Sequence, residues 1–241
     1  MKARFRSHYL PLLAGIAAKG DARHCLAGIR IEPASPALGG GVLLIATDGL
    51  ILCVVHDPYG RADEAGIIPI KKSILSQAKK PKHGKRYKAD NRFVVIDGDW
   101  LYIVDQLRGQ NTRTAGVSIK LIEGKYPDVS RVIPALSDAK PMESLTFNPI
   151  FMSRVHKAIS FCGVRFGYEG VKIFGTGEDK LFFLIPALPD DKMFFVIMPM
   201  RADNFNTDWI DKTKSQAEFL ARFNDDAVLK LFVWLSGWFG L

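Results

Sequence analysis

The sequence is short of the residues that build metal centres, disulfide frameworks and catalytic sites. Its three cysteines, Cys25, Cys53 and Cys162, stand far apart and form no CxxC pair. That excludes a disulfide scaffold and a cysteine zinc site, and reads as free thiols in a reducing compartment. The five histidines are scattered without an HExxH pattern, and neither a GxSxG elbow nor a Gly-rich phosphate loop is present. No catalytic residues, metal or cofactor are therefore expected. Long apolar runs are missing too, since none reaches the ~18 residues of a membrane span. The first twenty residues, MKARFRSHYLPLLAGIAAKG, are basic and then apolar, as a signal peptide is. Pro11 interrupts that run and polar Lys19-Gly20-Asp21 ends it. An amphipathic first helix in a cytoplasmic protein is the expectation.

What is present fits a globular chain of 241 residues with 48% hydrophobic and 24% charged residues. This length holds one large or two small domains. The formal net charge of +8 points to a polyanionic partner. It is concentrated. Lys71, Lys72, Lys79, Lys80, Lys82, Lys85, Arg86 and Lys88 follow one another with no acidic residue between them. Such a run also suits a solvated loop and helix face.

The chain is organised around Val42–Val55, where two apolar runs flank Thr47-Asp48-Gly49. Asp-Gly between β-branched runs predicts a hairpin, and nearly continuous apolar character predicts burial on both faces. Helical spacing over 7–18, then strands at 26–32, 42–46 and 50–55, make a first unit of helix and three strands. A second unit runs through a short strand at 66–70, a helix at 71–79, and strands at 93–96, 100–104 and 117–122. A third opens with a strand at 144–147 and a helix from Pro149 capped by Asn148. Strands at 171–174, 181–185 and 194–198 follow. The repeated order predicts duplicated supersecondary units in an α+β chain. Beyond Arg201, an amphipathic helix at 207–223 and an aromatic segment at 228–241 differ in character.

Three ordered stretches resemble the bacterial β sliding clamp, the processivity subunit of replicative DNA polymerase III. They are Ala46-Thr47-Asp48-Gly49, then Glu123–Asp128 through Arg131-Val132-Ile133-Pro134, then Val196-Ile197-Met198-Pro199-Met200-Arg201. The resemblance implies a DNA-clamp fold of repeated helix-plus-antiparallel-sheet units, with helices lining a ring. Residues 1–134 resemble the family's middle domain and 135–202 the end of its last domain. Residues 203–241 form a C-terminal helical aromatic tail outside the likeness. The family's first domain has no counterpart, which departs from its usual dimer of three-domain chains. A homo-oligomer, trimer or tetramer, is the expectation.

The resemblance also implies partners: duplex DNA, a DNA polymerase and other proteins with QLxLF-type peptides, and in some settings a clamp loader. Its interdomain peptide cleft maps to Leu26, Thr47, Gly49, Leu50, Ile51, Leu52, Pro134, Asn148, Phe151, Val196, Met198, Pro199, Met200 and Arg201. DNA contacts are expected from Arg23, His24, Lys71, Lys72, Lys79, Lys80, Lys82, Lys85 and Arg86. A ring that slides needs diffuse positive charge and no base-reading chemistry. One departure alters the cleft. Family members carry His-Arg after Thr-Asp-Gly, whereas this chain has Leu50-Ile51. Near the C-terminus, Val228-Leu229-Lys230-Leu231-Phe232 resembles such a peptide with its glutamine replaced, although the same aromatic segment also reads as core. Two other readings stand beside the clamp: a non-ring DNA-binding module, and a clamp mimic that competes for clamp-binding peptides.

Overall fold

The computed structural model describes residues 1–20, 23–78, 91–107, 110–141, 145–162, 170–177, 180–188 and 192–200. Two antiparallel sheets and three helices are built from them. In chain order the elements are β1 (Lys2–Arg6), α1 (Tyr9–Ala14), β2 (Gly28–Pro33), β3 (Val42–Thr47), β4 (Ile51–Asp57), β5 (Arg61–Ala62) and β6 (Gly66–Pro69). Then follow α2 (Lys72–Ala78), β7 (Arg92–Asp97), β8 (Trp100–Leu107), β9 (Gln110–Ser118), α3 (Ile150–Ile159), β10 (Val171–Gly175), β11 (Phe182–Pro186) and β12 (Lys192–Ile197).

The seven-stranded sheet has the order β10-β11-β12-β4-β3-β2-β6, and the five-stranded sheet β5-β1-β7-β8-β9. Strand β4 is buried at every position, and its alternation shows why. Ile51, Cys53 and Val55 face the main core, with Phe5, Val94 and Leu101 of the other sheet and α1, α2 and α3. Leu52 and Val54 face the opposite side, in a second cluster with Leu26, Ile67, Tyr126, Phe183 and Val196. Ile122, Val129 and Ile133 cover that second face. A strand covered on both sides has no use for polar alternation, so it reads as one apolar run. Burial of each such side chain is worth roughly 1.5–3 kcal/mol.

The hairpin register pairs Thr47 with Leu52 and Ala46 with Cys53. Leu50 therefore lies in the turn, not in the strand that the sequence predicted. Gly49 holds φ +93° there, a conformation that a side chain would strain. Strand β12 then pairs with β4 from Lys192↔His56 to Ile197↔Ile51. The sheet thus runs unbroken across residue 134, and Met1–Met200 forms one compact unit.

A buried ion pair ties the two sheets. The Asp57 carboxylate accepts from the Arg6 backbone N–H at 2.7 Å and from its Nε at 3.2 Å, joining the end of β4 to β1. A second buried pair, Arg92 Nε to Asp105 at 2.8 Å, also brings Arg92 Nη1 to the carbonyl of Gln77 in α2 at 3.1 Å.

Several elements differ from expectation. β1 was not predicted, because its alternation of Ala3 and Phe5 inward with Lys2 and Arg4 outward is masked by the apolar run after it. The last strand of the second unit is Gln110–Ser118, not 117–122. No strand forms at 145–147, the described part of the one expected at 144–147. Helix α3 starts one residue late, at Ile150, so Pro149 and not Asn148 takes the N-cap; Asn148 Oδ1 accepts from Ile150 N at 3.0 Å just ahead of it.

Candidate functional site

A narrow apolar groove of about 160 Å³ opens on the outer face of the seven-stranded sheet. The floor is the turn and the first residues of β4: Thr47, Gly49, Leu50, Ile51 and Leu52. Val196 and Met198 form one wall, Leu26 and Arg23 another, and Pro127, Asp128, Val129 and Val132 the last. Leu26 and Val196 are buried, while Leu50 and Met198 are exposed at 54% and 44%. Large flexible side chains at the rim over a fixed apolar floor suit a ligand that brings apolar anchors.

The floor is held by local polar chemistry. Thr47 Oγ1 donates to the carbonyl of Ile51 at 2.8 Å and accepts from Gly49 N at 2.9 Å. Asp48 Oδ1 accepts from Leu50 N at 2.9 Å and Ile51 N at 3.0 Å. Its other oxygen pairs with Arg154 of α3. Partial burial pushes the Asp48 carboxyl up, but Arg154 and the two backbone donors outweigh it and hold the group below its usual range. Arg154 reaches further. Its Nε and Nη2 donate to the carbonyls of Gly15 at 3.2 Å and Ile16 at 2.7 Å, just past α1. One guanidinium thus fixes the turn to two helices. Met198 N donates to the carbonyl of Leu50 at 2.9 Å, which ties the end of β12 to the same turn.

Of the predicted cleft residues, the structure brings together Leu26, Thr47, Gly49, Leu50, Ile51, Leu52, Val196 and Met198. Pro134 is half-buried beyond the groove, and the Asn148 side chain accepts from Ile150 N at the start of α3. Phe151 is buried in the main core. Pro199 and Met200 follow β12, with Met200 N bonded to the carbonyl of Thr146 at 3.0 Å. Arg201 lies outside the described residues. Sequence reasoning missed Pro127, Asp128, Val129 and Val132 as lining. The signal was there, in the segment that carried the family resemblance. Tyr126, the aromatic of that segment, is buried over the hairpin with its hydroxyl 3.5 Å from the carbonyl of Ile45. Asp128 then caps the 3₁₀ turn Val129–Arg131 through Ser130 N at 3.2 Å.

The expected DNA contacts are spread more widely. Arg23 sits over Gly49 at the groove, its Nη2 3.5 Å from the carbonyl of Asp48. His24 is exposed in a 3₁₀ turn, and Lys71 and Lys72 are exposed at the start of α2. Lys79, Lys80, Lys82, Lys85 and Arg86 lie outside the described residues, as does the tail at 203–241. Burial pushes the Cys53 thiol up, so it stays protonated inside the sheet. Among the described residues no group of three or more His, Cys, Asp or Glu could hold a metal ion. Among them, too, no helix is long and apolar enough to cross a membrane.

No family model matches the sequence, and no curated protein does either. Solved structures match the fold. The DNA polymerase III β chain of Streptococcus pneumoniae aligns over 83% of this chain and 64% of its own, with 18% identity and a TM-score of 0.55. The β clamp of Helicobacter pylori, solved with diflunisal, aligns over 83% and 66%, with 13% identity and a TM-score of 0.55. The DNA polymerase III subunit β of Pseudomonas aeruginosa covers the same shares at 17% identity and a TM-score of 0.52. The α+β fold of this chain is that of the sliding clamps, and the chain spans about two thirds of the length of these solved proteins.

Proposed function

We propose that this chain is a shortened sliding clamp: a non-enzymatic processivity factor that surrounds duplex DNA and tethers a polymerase. The observation that carries the reading is the apolar groove at the Thr47–Leu52 turn, set in a sliding-clamp fold. The groove receives a QLxLF-type tail of the polymerase or of another replication factor. Leucine and phenylalanine anchors enter the trough between Leu52, Val196 and Met198, and the exposed Arg23 and Asp128 offer polar partners at its rim. Leu50-Ile51 makes this trough more apolar than one with His-Arg after the glycine. In this reading residues 1–134 act as one clamp domain and 135–202 as part of another, in a cytoplasmic protein. The ring in this reading is a homo-oligomer, trimer or tetramer, closed with or without a loader. Lys71 and Lys72, and the basic residues that follow them, hold the phosphate backbone without reading bases.

Topology tests the ring. Protein assembled on a circular duplex should stay bound in high salt and be released when the circle is cut. Equal retention on circular and linear DNA would sink the ring. A second reading is a mimic that only competes for clamp-binding tails, and it rests on the groove alone, which needs no ring. It predicts a monomeric mass at micromolar concentration together with micromolar binding of a QLxLF peptide.

A further inference from the structure

A second and larger cavity, of about 710 Å³, lies on the far side of Leu50 from the groove. It is bounded by α1 and the residues after it, Leu75 of α2, and α3. Small residues, Ala14, Gly15, Ala17, Ala18 and Ala158, stand among larger apolar ones such as Leu12, Leu75 and Phe161 in its lining. Four alanines and a glycine leave a concavity of the size that takes an organic ligand or a side chain with its backbone. Leu50 and Ile150 stand at its rim, 54% and 57% exposed. Isolated exposed aliphatic residues are ordinary, but two facing one apolar hollow are a different matter.

Charge narrows the choice of occupant. Asp48 is the one carboxylate of the lining, and Arg154 neutralises it while spending its other donors on Gly15 and Ile16. Lys19 and Lys157 remain, both exposed at the edge of the hollow. An apolar concavity with two uncommitted ammonium groups suits an apolar side chain next to carboxylates. A duplex backbone fits poorly, because phosphates gain nothing from an aliphatic hollow. Leu50 lines this cavity and the groove alike, so a peptide crossing that one residue reaches both.

We propose that the larger cavity is a second docking site for the same partner tail, taking an apolar residue with adjacent acidic residues that lie next to the QLxLF-type core. The proposal rests on the groove reading and gives the partner a further chemical requirement. Three peptides test it by fluorescence anisotropy: Gln-Leu-Asp-Leu-Phe, and the same core extended by Leu-Asp-Asp at either its amino or its carboxyl end. One extended peptide should bind about tenfold tighter than the core, the worth of one buried apolar side chain. Lys157→Glu, and separately Ala14→Phe to fill the hollow, should erase that gain and leave core affinity unchanged. Lys157→Glu changes an exposed residue, so it keeps the test meaningful if Ala14→Phe misfolds.

Equal affinity of all three peptides would overturn the second site and leave the groove standing. If the core fails to bind while an extended peptide binds in a Lys157-dependent way, the groove reading falls and the larger cavity stands alone. If none binds, both fall. If Lys157→Glu weakens duplex DNA binding but keeps the peptide gain, the lysine serves phosphate and the proposal is wrong.

Discussion

Strands β4 and β9 are both antiparallel strands of one molecule, and they are held by different forces. All seven residues of β4 are buried, between two apolar clusters and two neighbouring strands. β9 is the edge of the five-stranded sheet, and Gln110 to Thr114 are all exposed. The first is driven by side-chain burial, the second mainly by pairing with β8, with only Ala115 and Val117 reaching the core. The site sits where the first kind of strand meets a turn. A groove needs walls that stay put, and the turn between β3 and β4 is anchored in the most deeply buried part of the sheet. Edge strands without apolar faces are also poor templates for aggregation.

The sharpest break of this contrast is a truncation at the β4–β12 junction. Phe195 is fully buried and paired with Cys53. Phe195→Ala should cost about 3–5 kcal/mol, the lost transfer energy plus the cavity left behind. Thr112→Ala on β9 should change stability by less than about 0.5 kcal/mol, as exposed substitutions do. Urea denaturation of both variants checks the ratio, and equal losses would erase the distinction.

Next comes the tie between the sheets. Asp57→Asn keeps the shape but removes the charge that receives Arg6 N and Nε. Charge-assisted bonds of this kind are worth roughly 1.5–3 kcal/mol. Asp57 lies at the end of β4, so amide exchange should rise first along β1, the strand it serves across the gap. Exchange that rises only in β9 would place the weak point elsewhere.

These two effects follow from what the sequence made legible. The paired apolar runs at 42–55 were readable as a doubly buried hairpin because burial on both faces abolishes alternation. β9 was misplaced because Gln110–Thr114 has no apolar signal and Ala115 and Val117 give only a faint one, so the register with β8 defines it. β1 was lost beside the stronger helical pattern of Leu10, Leu13 and Ile16. At the site, motif likeness located the turn and the Met198 wall but not the opposite wall. Pro127 to Val132 are local loop residues whose facing is set by Tyr126 packing over the sheet, a long-range contact that no periodicity reports. Arg154 was missed outright, since an arginine on a helix looks like a solvated residue until Asp48 is brought to it.

Asp48 gives the third prediction. Asp48→Ala removes two backbone acceptor bonds and the Arg154 pair, and should cost about 1–2 kcal/mol of stability. It should also weaken peptide binding at the groove more than its stability cost implies, because Leu50 loses its fixed position. The pH version has a definite sign. The folded-state carboxyl titrates below the ordinary 3.8, so its contribution is complete above that value and is lost as pH falls through the lower, folded value. Denaturation midpoints measured down an acid series should lose this contribution in the wild type and not in Asp48→Ala. A difference between the two proteins that persists unchanged through the acid range would show that the charge on Asp48 is not what holds the turn.

The smallest effect belongs to β9, where side chains matter least. Trp100 and Tyr102 stack on the outer face of β8 with centroids 6.0 Å apart and planes 11° from parallel. Arg113 of β9 lies over the Tyr102 ring at 4.1 Å, beside Gly116, which faces Tyr102 across the strands. This cation–π contact joins the exposed half of β9 to its neighbour across the bulge at Ile103/Val104, beside the bond from Thr114 Oγ1 to the carbonyl of Ile103 at 3.3 Å. At an exposed site it is worth about 0.5–1 kcal/mol, and salt weakens it little because the ring carries no net charge. A double-mutant cycle with Tyr102→Leu and Arg113→Ala isolates it from the lost packing of either residue. A coupling in that range would show that even the edge strand owes part of its register to side chains. A coupling of zero would leave the exposed half of β9 to backbone pairing and the Thr114 hydroxyl, and would sharpen the contrast with β4.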